Sequence, residues 1–350
     1  MKEIRLNPMD DMHFHPRDDD AITEMVVDHL WSSGFIRGIP IFNYKVPVET
    51  ASDLEQEMKR LDHVNSQFNF IPSIMLTKKT TPQIIFDVNL CGTKIIKWML
   101  DGLSTNSVNG VGWDNIREKY PCLRMAEELG MNLMIHNEAS FHNVEGKPIT
   151  HPLWREHLAI PKFDALARDF PDLQISFEHI STERGVDYVL NEAPPNVRGG
   201  ITAHHLVGEV ADVYKLDKDD GKERIIPNQW CMPVFKFRHD REALIKAVTG
   251  GSGKFFYGGD KAPHKNKDPL NPPAGVYAGL TDICLLAEIF EKCDALDKLN
   301  DFVSGFGADH YGLPRNTGTV ILRKEAWIPP EEINGVKIFG GGKKLDWKVV

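Results

Sequence analysis

His13 and His15, in Asp11-Met12-His13-Phe14-His15-Pro16-Arg17, fall on one face of an extended segment, because side chains alternate along a strand. Imidazoles placed that way can hold one metal ion, and Zn²⁺ takes histidine nitrogen readily. Arg17 follows at the same spacing and offers a planar fork for a carboxylate. Pro16 suits the mouth end of a strand, since it cannot donate to a ladder. Further polar residues close other short apolar runs: Asn43, Lys97, His136, His179 and Asp260. Alone, a buried histidine is more often a hydrogen-bonded core residue, and an aspartate a helix cap. Together they point to one site. Four histidines, an aspartate and a lysine exceed one tetrahedral shell and suit two metals about 3.5–4 Å apart, an arrangement that activates water. An ammonium cannot ligate a cation, so Lys97 must pair with an anion or be altered. Addition of CO₂ to its neutral amine would give an anionic carbamate with two oxygens, able to bridge two metals.

The elements that would position these residues alternate along the chain. Apolar runs at 11–15, 35–43, 68–76, 93–97, 131–136, 173–179, 200–206 and 254–260 read as strands. Between them, helical periodicity covers 21–33, 52–64, 80–89, 113–130 (broken near Pro121), 154–170, 183–191 and 239–248. Alternating βα units imply a parallel sheet, and eight of them an α/β fold of the (β/α)₈ barrel type, with chemistry at the C-terminal ends of the strands. The first strand is not followed by Gly-x-Gly-x-x-Gly, which argues against a dinucleotide-binding open sheet. The charged stretch 207–230 reads as an inserted loop or added helix. We expect a single domain over 1–350, with the barrel at about 10–303 and a short C-terminal extension at about 304–350.

Composition bounds the class. The chain has 350 residues, 41% hydrophobic and 26% charged, as expected of a globular enzyme with a large core. A formal charge of −9 argues against a nucleic-acid partner. Five cysteines without a Cys-x-x-Cys pair fit free thiols in a reducing compartment. With no apolar leader among the first ten residues and no run of about 18 apolar residues, the expected location is cytoplasmic, without a membrane partner.

The order His-x-His-x-Arg, lysine, histidine, histidine, aspartate resembles the amidohydrolase superfamily, in which that lysine is carboxylated. The likeness narrows to dihydroorotases of the free-standing bacterial type. His13-Phe14-His15-Pro16-Arg17-Asp18 resembles their His-Leu-His-Leu-Arg-Asp opening, and Ser104-Thr105-Asn106-Ser107 their Thr-Thr-Asn-Ser flap. Ile135-His136-Asn137-Glu138 is similar to Val-His-Gly-Glu, and Phe177-Glu178-His179-Ile180 to Phe-Glu-His-Ile. Cys231-Met232-Pro233, Gly259-Asp260-Lys261-Ala262-Pro263-His264 and Tyr311-Gly312-Leu313-Pro314 resemble Cys-Leu-Pro, Thr-Asp-Ser-Ala-Pro-His and Tyr-Gly-Leu-Pro. The chain departs from the pattern at Trp98-Met99-Leu100 after the lysine, and at 265–273, which replaces a cysteine-rich loop.

The resemblance implies two Zn²⁺ per chain, bridged by N6-carboxylated Lys97. His13, His15, Lys97 and Asp260 would hold one ion, and Lys97, His136 and His179 the other. Asp260 would be the catalytic proton shuttle. Arg17, Asn43 and His264 would hold a substrate carboxylate, Met232 and Ala274 would add backbone contacts, and Thr105 would close over the ligand. The implied reaction is the reversible interconversion of N-carbamoyl-L-aspartate and L-dihydroorotate in pyrimidine biosynthesis, carried out by a homodimer. Two alternatives stand beside it: another cyclic amidase of the hydantoinase or allantoinase kind, and a non-catalytic partner subunit.

Overall fold

Short apolar strands, buried along most of their length, alternate with helices in the computed structural model, which describes residues 2–102, 106–139, 151–217 and 220–350. The strands are β1 (Met9–Phe14), β2 (Phe35–Pro40), β3 (Ser73–Leu76), β4 (Ile95–Trp98), β5 (Asn132–Ile135), β6 (Gln174–Phe177), β7 (Val197–Ile201) and β8 (Phe255–Tyr257). Strands β3 to β8 form a six-stranded parallel sheet in chain order. Strands β1 and β2 pair in parallel with each other, and β2 with the two-residue strand Asn69–Phe70. That short strand runs into β3 past Pro72, which has no N–H to give a ladder. At the other edge the His15 amide donates to Lys261 O (2.9 Å) and the Asp260 amide to His13 O (2.6 Å). The segment after β8 is thereby tied to β1.

Helices α1 (Asp20–Ser32), α2 (Ala51–Val64), α3 (Pro82–Leu90), α4 (Tyr120–Glu128), α5 (Pro152–Asp169), α6 (Glu183–Asp187), α7 (Arg238–Thr249) and α8 (Asp282–Lys292) fall between and after the strands. Their starts are written in side chains. Asp19, Thr81 and Thr182 accept from the first-turn amides of Ile22, Ile84 and Gly185, and Thr50 with Asp53 closes a capping box. Gly34 ends α1 at φ +85°, where a Cβ would press to 2.7 Å from Val320.

Two apolar clusters fill the molecule. One lies where the strands meet the helices. In the other, Met12, Ile39, Met75, Ile95, Met134 and Phe256, one from each of six strands, meet Ala308 and Tyr311 from the C-terminal segment. The C-terminal segment also pairs with the start of the chain: Glu3–Leu6, Val320–Trp327 and Leu345–Val349 form an antiparallel sheet.

Boundaries shift from the sequence reading where local geometry intervenes. The seventh strand ends at Ile201, and His204–Leu206, expected to extend it, forms a 3₁₀ turn. The stretch 113–130 splits into a 3₁₀ segment (Trp113–Lys119) and α4, with Pro121 in the first helical turn, where its missing N–H costs nothing. The charged stretch 207–230 contains the helix Val210–Val213 and an antiparallel pairing of Tyr214–Leu216 with Glu223–Ile225.

Candidate active site

The residues singled out from sequence arrive at the same end of the strands. His13 lies on β1 with His15 just past it, Lys97 on β4, His136 just past β5, and His179 and Asp260 two and three residues past β6 and β8. All six are buried. His13 Nε2 and His15 Nε2 stand 3.4 and 2.9 Å from Asp260 Oδ1, and His136 Nδ1 stands 3.1 Å from His179 Nε2. The ring centres of His13 and His179 are 5.4 Å apart, which joins the two halves. Asp260 and His179 hold φ of +44° and +41°, the left-handed region that costs a non-glycine residue energy and clusters at functional sites.

Buried acceptors set the rings. His13 Nδ1 lies 2.6 Å from Glu178 Oε2, His15 Nδ1 3.2 Å from Ile41 O, and His136 Nε2 2.8 Å from Glu138 Oε2. Each leaves its other nitrogen facing the cluster, the arrangement that orients metal-ligating histidines. Burial pushes the His15 imidazole down to about 4 and the His179 imidazole well below its ordinary value, with His136 adding to the latter. Burial alone would raise the Asp260 carboxyl, yet the imidazoles of His13, His15 and His179 hold it well below the carboxylate range. The Lys97 amine is lowered by burial to about 8, against the opposing charges of Glu178 and Asp260.

Three buried nitrogens here have no hydrogen-bond partner among the described residues: Lys97 Nζ, His13 Nε2 and His179 Nδ1. Leaving such groups unpaired costs about 1–3 kcal/mol each. Imidazoles, a carboxylate and a depressed amine form a donor set that fits divalent metal, with His13, His15 and Asp260 near enough to share one ion.

Beside this cluster opens a tight cavity of about 30 Å³, lined among others by Arg17, Asn43, Met232, Asp260 and Ala274. Arg17 Nε donates to Pro263 O (2.8 Å), and its Nη2 lies 3.2 Å from His264 Nε2, which is 3.0 Å from Ala274 O. Among the described residues no carboxylate hydrogen-bonds this guanidinium, and burial lowers it to about 10. Thr105 lies outside the described residues. A second donor group, His204, His205 and Cys231, was not anticipated from sequence. His205 bonds Thr202 Oγ1 (2.8 Å) and Pro233 O (3.0 Å), and the Cys231 thiol also reaches Pro233 O (3.1 Å). These contacts hold the turn that presents Met232 to the pocket.

No protein-family model matches the chain. It is 37% identical over 351 residues to a dihydroorotase of Leptothrix cholodnii, covering 97% of each. It is 36% identical to a dihydroorotase of Aliivibrio salmonicida over the whole of both chains. The chain belongs to the dihydroorotase family. A crystal structure of Saccharomyces cerevisiae dihydroorotase in complex with 5-fluoroorotic acid superposes with a TM-score of 0.88 at 29% identity, covering 100% of this chain and 99% of that one. An L-hydantoinase of Arthrobacter aurescens follows at 0.80 and 14% identity over 99% and 83% of the two chains, a likeness of fold alone.

Within the dihydroorotase pattern, sequence reading missed the carboxylates that set the rings. Glu178 and Glu138 stand beside or near the histidines in the quoted motifs, where sequence alone assigned them no role. Their signal was present: a glutamate inside an otherwise apolar strand end needs a buried partner. The loop at 265–273 does carry a tie of its own. Lys267 Nζ donates to the carbonyls of Pro227 (2.9 Å), Trp230 (3.1 Å) and Gly275, binding the two backbone segments that flank Met232 and Ala274.

Proposed function

We propose that this protein is a two-zinc dihydroorotase interconverting L-dihydroorotate and N-carbamoyl-L-aspartate in pyrimidine biosynthesis. The observation that carries this reading is Arg17, a half-buried guanidinium without a carboxylate partner among the described residues, opening onto the pocket beside the histidine cluster. A ring bearing a carboxylate supplies the missing anion. An uncharged ring does not, which sets this reading above a hydantoinase-like one.

The ligand assignment is His13, His15, Lys97 and Asp260 for one ion, and Lys97, His136 and His179 for the other. When bound, the ions lower the pKa of water and polarise the ring carbonyl. Lys97, with its amine made easier to neutralise by burial, would add CO₂ at Nζ and release a proton, giving an anionic carbamate that would help hold the metal. Asp260, kept ionised by the imidazoles around it, takes a proton from the attacking water at Oδ1. As the ring C–N bond breaks, it returns that proton to the leaving nitrogen. Arg17, Asn43 and His264 fix the substrate carboxylate, while backbone groups at Met232 and Ala274 orient the ring.

Chain order in the two sheets, the tie between β1 and the segment after β8, and the shared inner cluster support a closed (β/α)₈ barrel within one domain. By family likeness the protein works as a homodimer in the cytoplasm. No helix among the described residues is long and apolar enough to cross a membrane.

Charge-assisted hydrogen bonds contribute about 1.5–3 kcal/mol each, so Arg17→Met should weaken dihydroorotate binding about 10- to 150-fold. Metal content should not change. Steady-state kinetics on dihydroorotate, dihydrouracil and hydantoin provide the check: a wild type that prefers the uncharged rings overturns the assignment.

A further inference from the structure

Directly after Asp260 the chain places Lys261, where the family pattern quoted above has serine. Its side chain is fully buried, as are those of Asp11 and Asp282. Lys261 Nζ lies 2.6 Å from Asp11 Oδ2, 2.6 Å from Asp282 Oδ2 and 2.8 Å from Tyr257 OH. Tyr257 OH in turn donates to Asp282 Oδ2 (2.5 Å). The ammonium rests 4.8 Å from the centre of the Phe35 ring. Nothing wider than glycine fits beside it, since a Cβ at Gly259 would come within 2.5 Å of Lys261 Nζ and 2.7 Å of Asp11 Oδ2.

The other oxygen of Asp11 faces the site. Oδ1 accepts from the Gly259 amide (2.7 Å) and the His13 amide (3.1 Å), one on each side of the seam between β1 and the segment after β8. The backbone of Lys261 crosses the same seam, its carbonyl accepting from the His15 amide (2.9 Å). His13, His15 and Asp260 thus hang from one buried cluster. Asp260 is also held in a left-handed conformation that relaxes unless its surroundings enforce it.

Resting on the two-metal reading above, we propose that Lys261 is a positioning residue: by clamping Asp11 and Asp282 it fixes the mutual placement of His13, His15 and Asp260 and so sets metal affinity and turnover. Lys261 touches neither substrate nor metal. It acts through Asp11.

Lys261→Met alone leaves two carboxylates facing each other, so the test pairs it with Lys261→Ser/Asp282→Asn, which removes one charge of each sign. Loss of groups that orient metal ligands typically costs about 10- to 100-fold in metal affinity or activity. We expect the double variant to lose zinc affinity in chelator competition and kcat on that scale, with KM within a few-fold. Amide hydrogen exchange at His13 and Gly259 should quicken. Asp11→Asn, which keeps an oxygen for the two amides, should lose less than Asp11→Ala. Chelator competition and exchange need no turnover, so a wild type inactive on dihydroorotate sinks the substrate reading without touching this one. Wild-type zinc affinity and kcat in the double variant overturn the proposal. So does a rise in KM alone, or a lowered thermal midpoint with no other change. A double variant that fails to fold makes the cluster a folding element and overturns it equally.

Discussion

Lys97 brings an amine into a fully enclosed position with no hydrogen-bond partner among the described residues, an arrangement that folding alone does not favour. Its depressed pKa, about 8, keeps a usable fraction of neutral amine near neutral pH. A neutral amine is the form that adds CO₂. Lys97→Ala should therefore lose most activity, by more than the roughly 10²-fold at the low end of an acid–base loss, because the proposed carbamate bridge would disappear with it. Lys97→Arg should fail as fully, since a guanidinium stays protonated and cannot become a carbamate. Activity of Lys97→Ala recovered by short carboxylic acids would support the bridge, and near-normal turnover of Lys97→Arg would contradict it. The polar strand ends could be read from sequence because each interrupts an apolar run. The clamp around Lys261 could not, because Asp11 and Asp282 approach it only in the folded chain.

Elements position these side chains through their loops more than through the strands themselves. Glu156, buried on α5, accepts from the Ser181 amide (2.8 Å), the Thr182 amide (3.0 Å) and both hydroxyls. Those residues link His179 to the start of α6, where Thr182 caps the helix through the Gly185 amide (2.9 Å). One carboxylate thus pins the loop in which His179 holds its positive φ. Glu156→Ala leaves four buried donors unpaired and should cost about 3–5 kcal/mol, the range for breaking a buried charged network. A urea midpoint for Glu156→Ala close to wild type would show that the loop is held by other contacts. Such ties explain which parts of the fold were legible. Strand and helix order followed from local periodicity and caps such as Thr50 and Thr81. The end of the seventh strand did not, because the run Ile201 to Leu206 stays partly apolar while the backbone turns at His204. Nor could sequence show that Glu3–Leu6 pairs with Val320–Trp327, more than 300 residues away.

At the scale of the whole molecule, packing around the parallel strands encloses histidines that the proposed chemistry does not use. Burial pushes the imidazoles of His205 and His310 down to about 4 and about 3, against 6.5 for an ordinary histidine. Both stay neutral in the folded protein as the pH falls below 6.5, while the unfolded chain takes up protons. Stability therefore is independent of these groups above about pH 6.5 and declines as pH drops from there toward the folded values. Separations of this size are worth on the order of 3 kcal/mol for His205 and 5 kcal/mol for His310. Carboxylates such as Asp260, depressed in the folded state, contribute in a lower window, below about pH 4. The two effects can be separated with His310, whose ring stacks on Phe256 at 5.3 Å and has neither nitrogen hydrogen-bonded among the described residues. His310→Leu removes a buried polar ring that gains nothing from pairing, so it should cost little at about pH 7. It should also flatten the stability curve between about pH 6.5 and pH 3 by the share that His310 contributes. Urea midpoints of the metal-free wild type and variant across that range give the comparison. Parallel curves would mean that His310 protonates as readily in the folded protein as outside it.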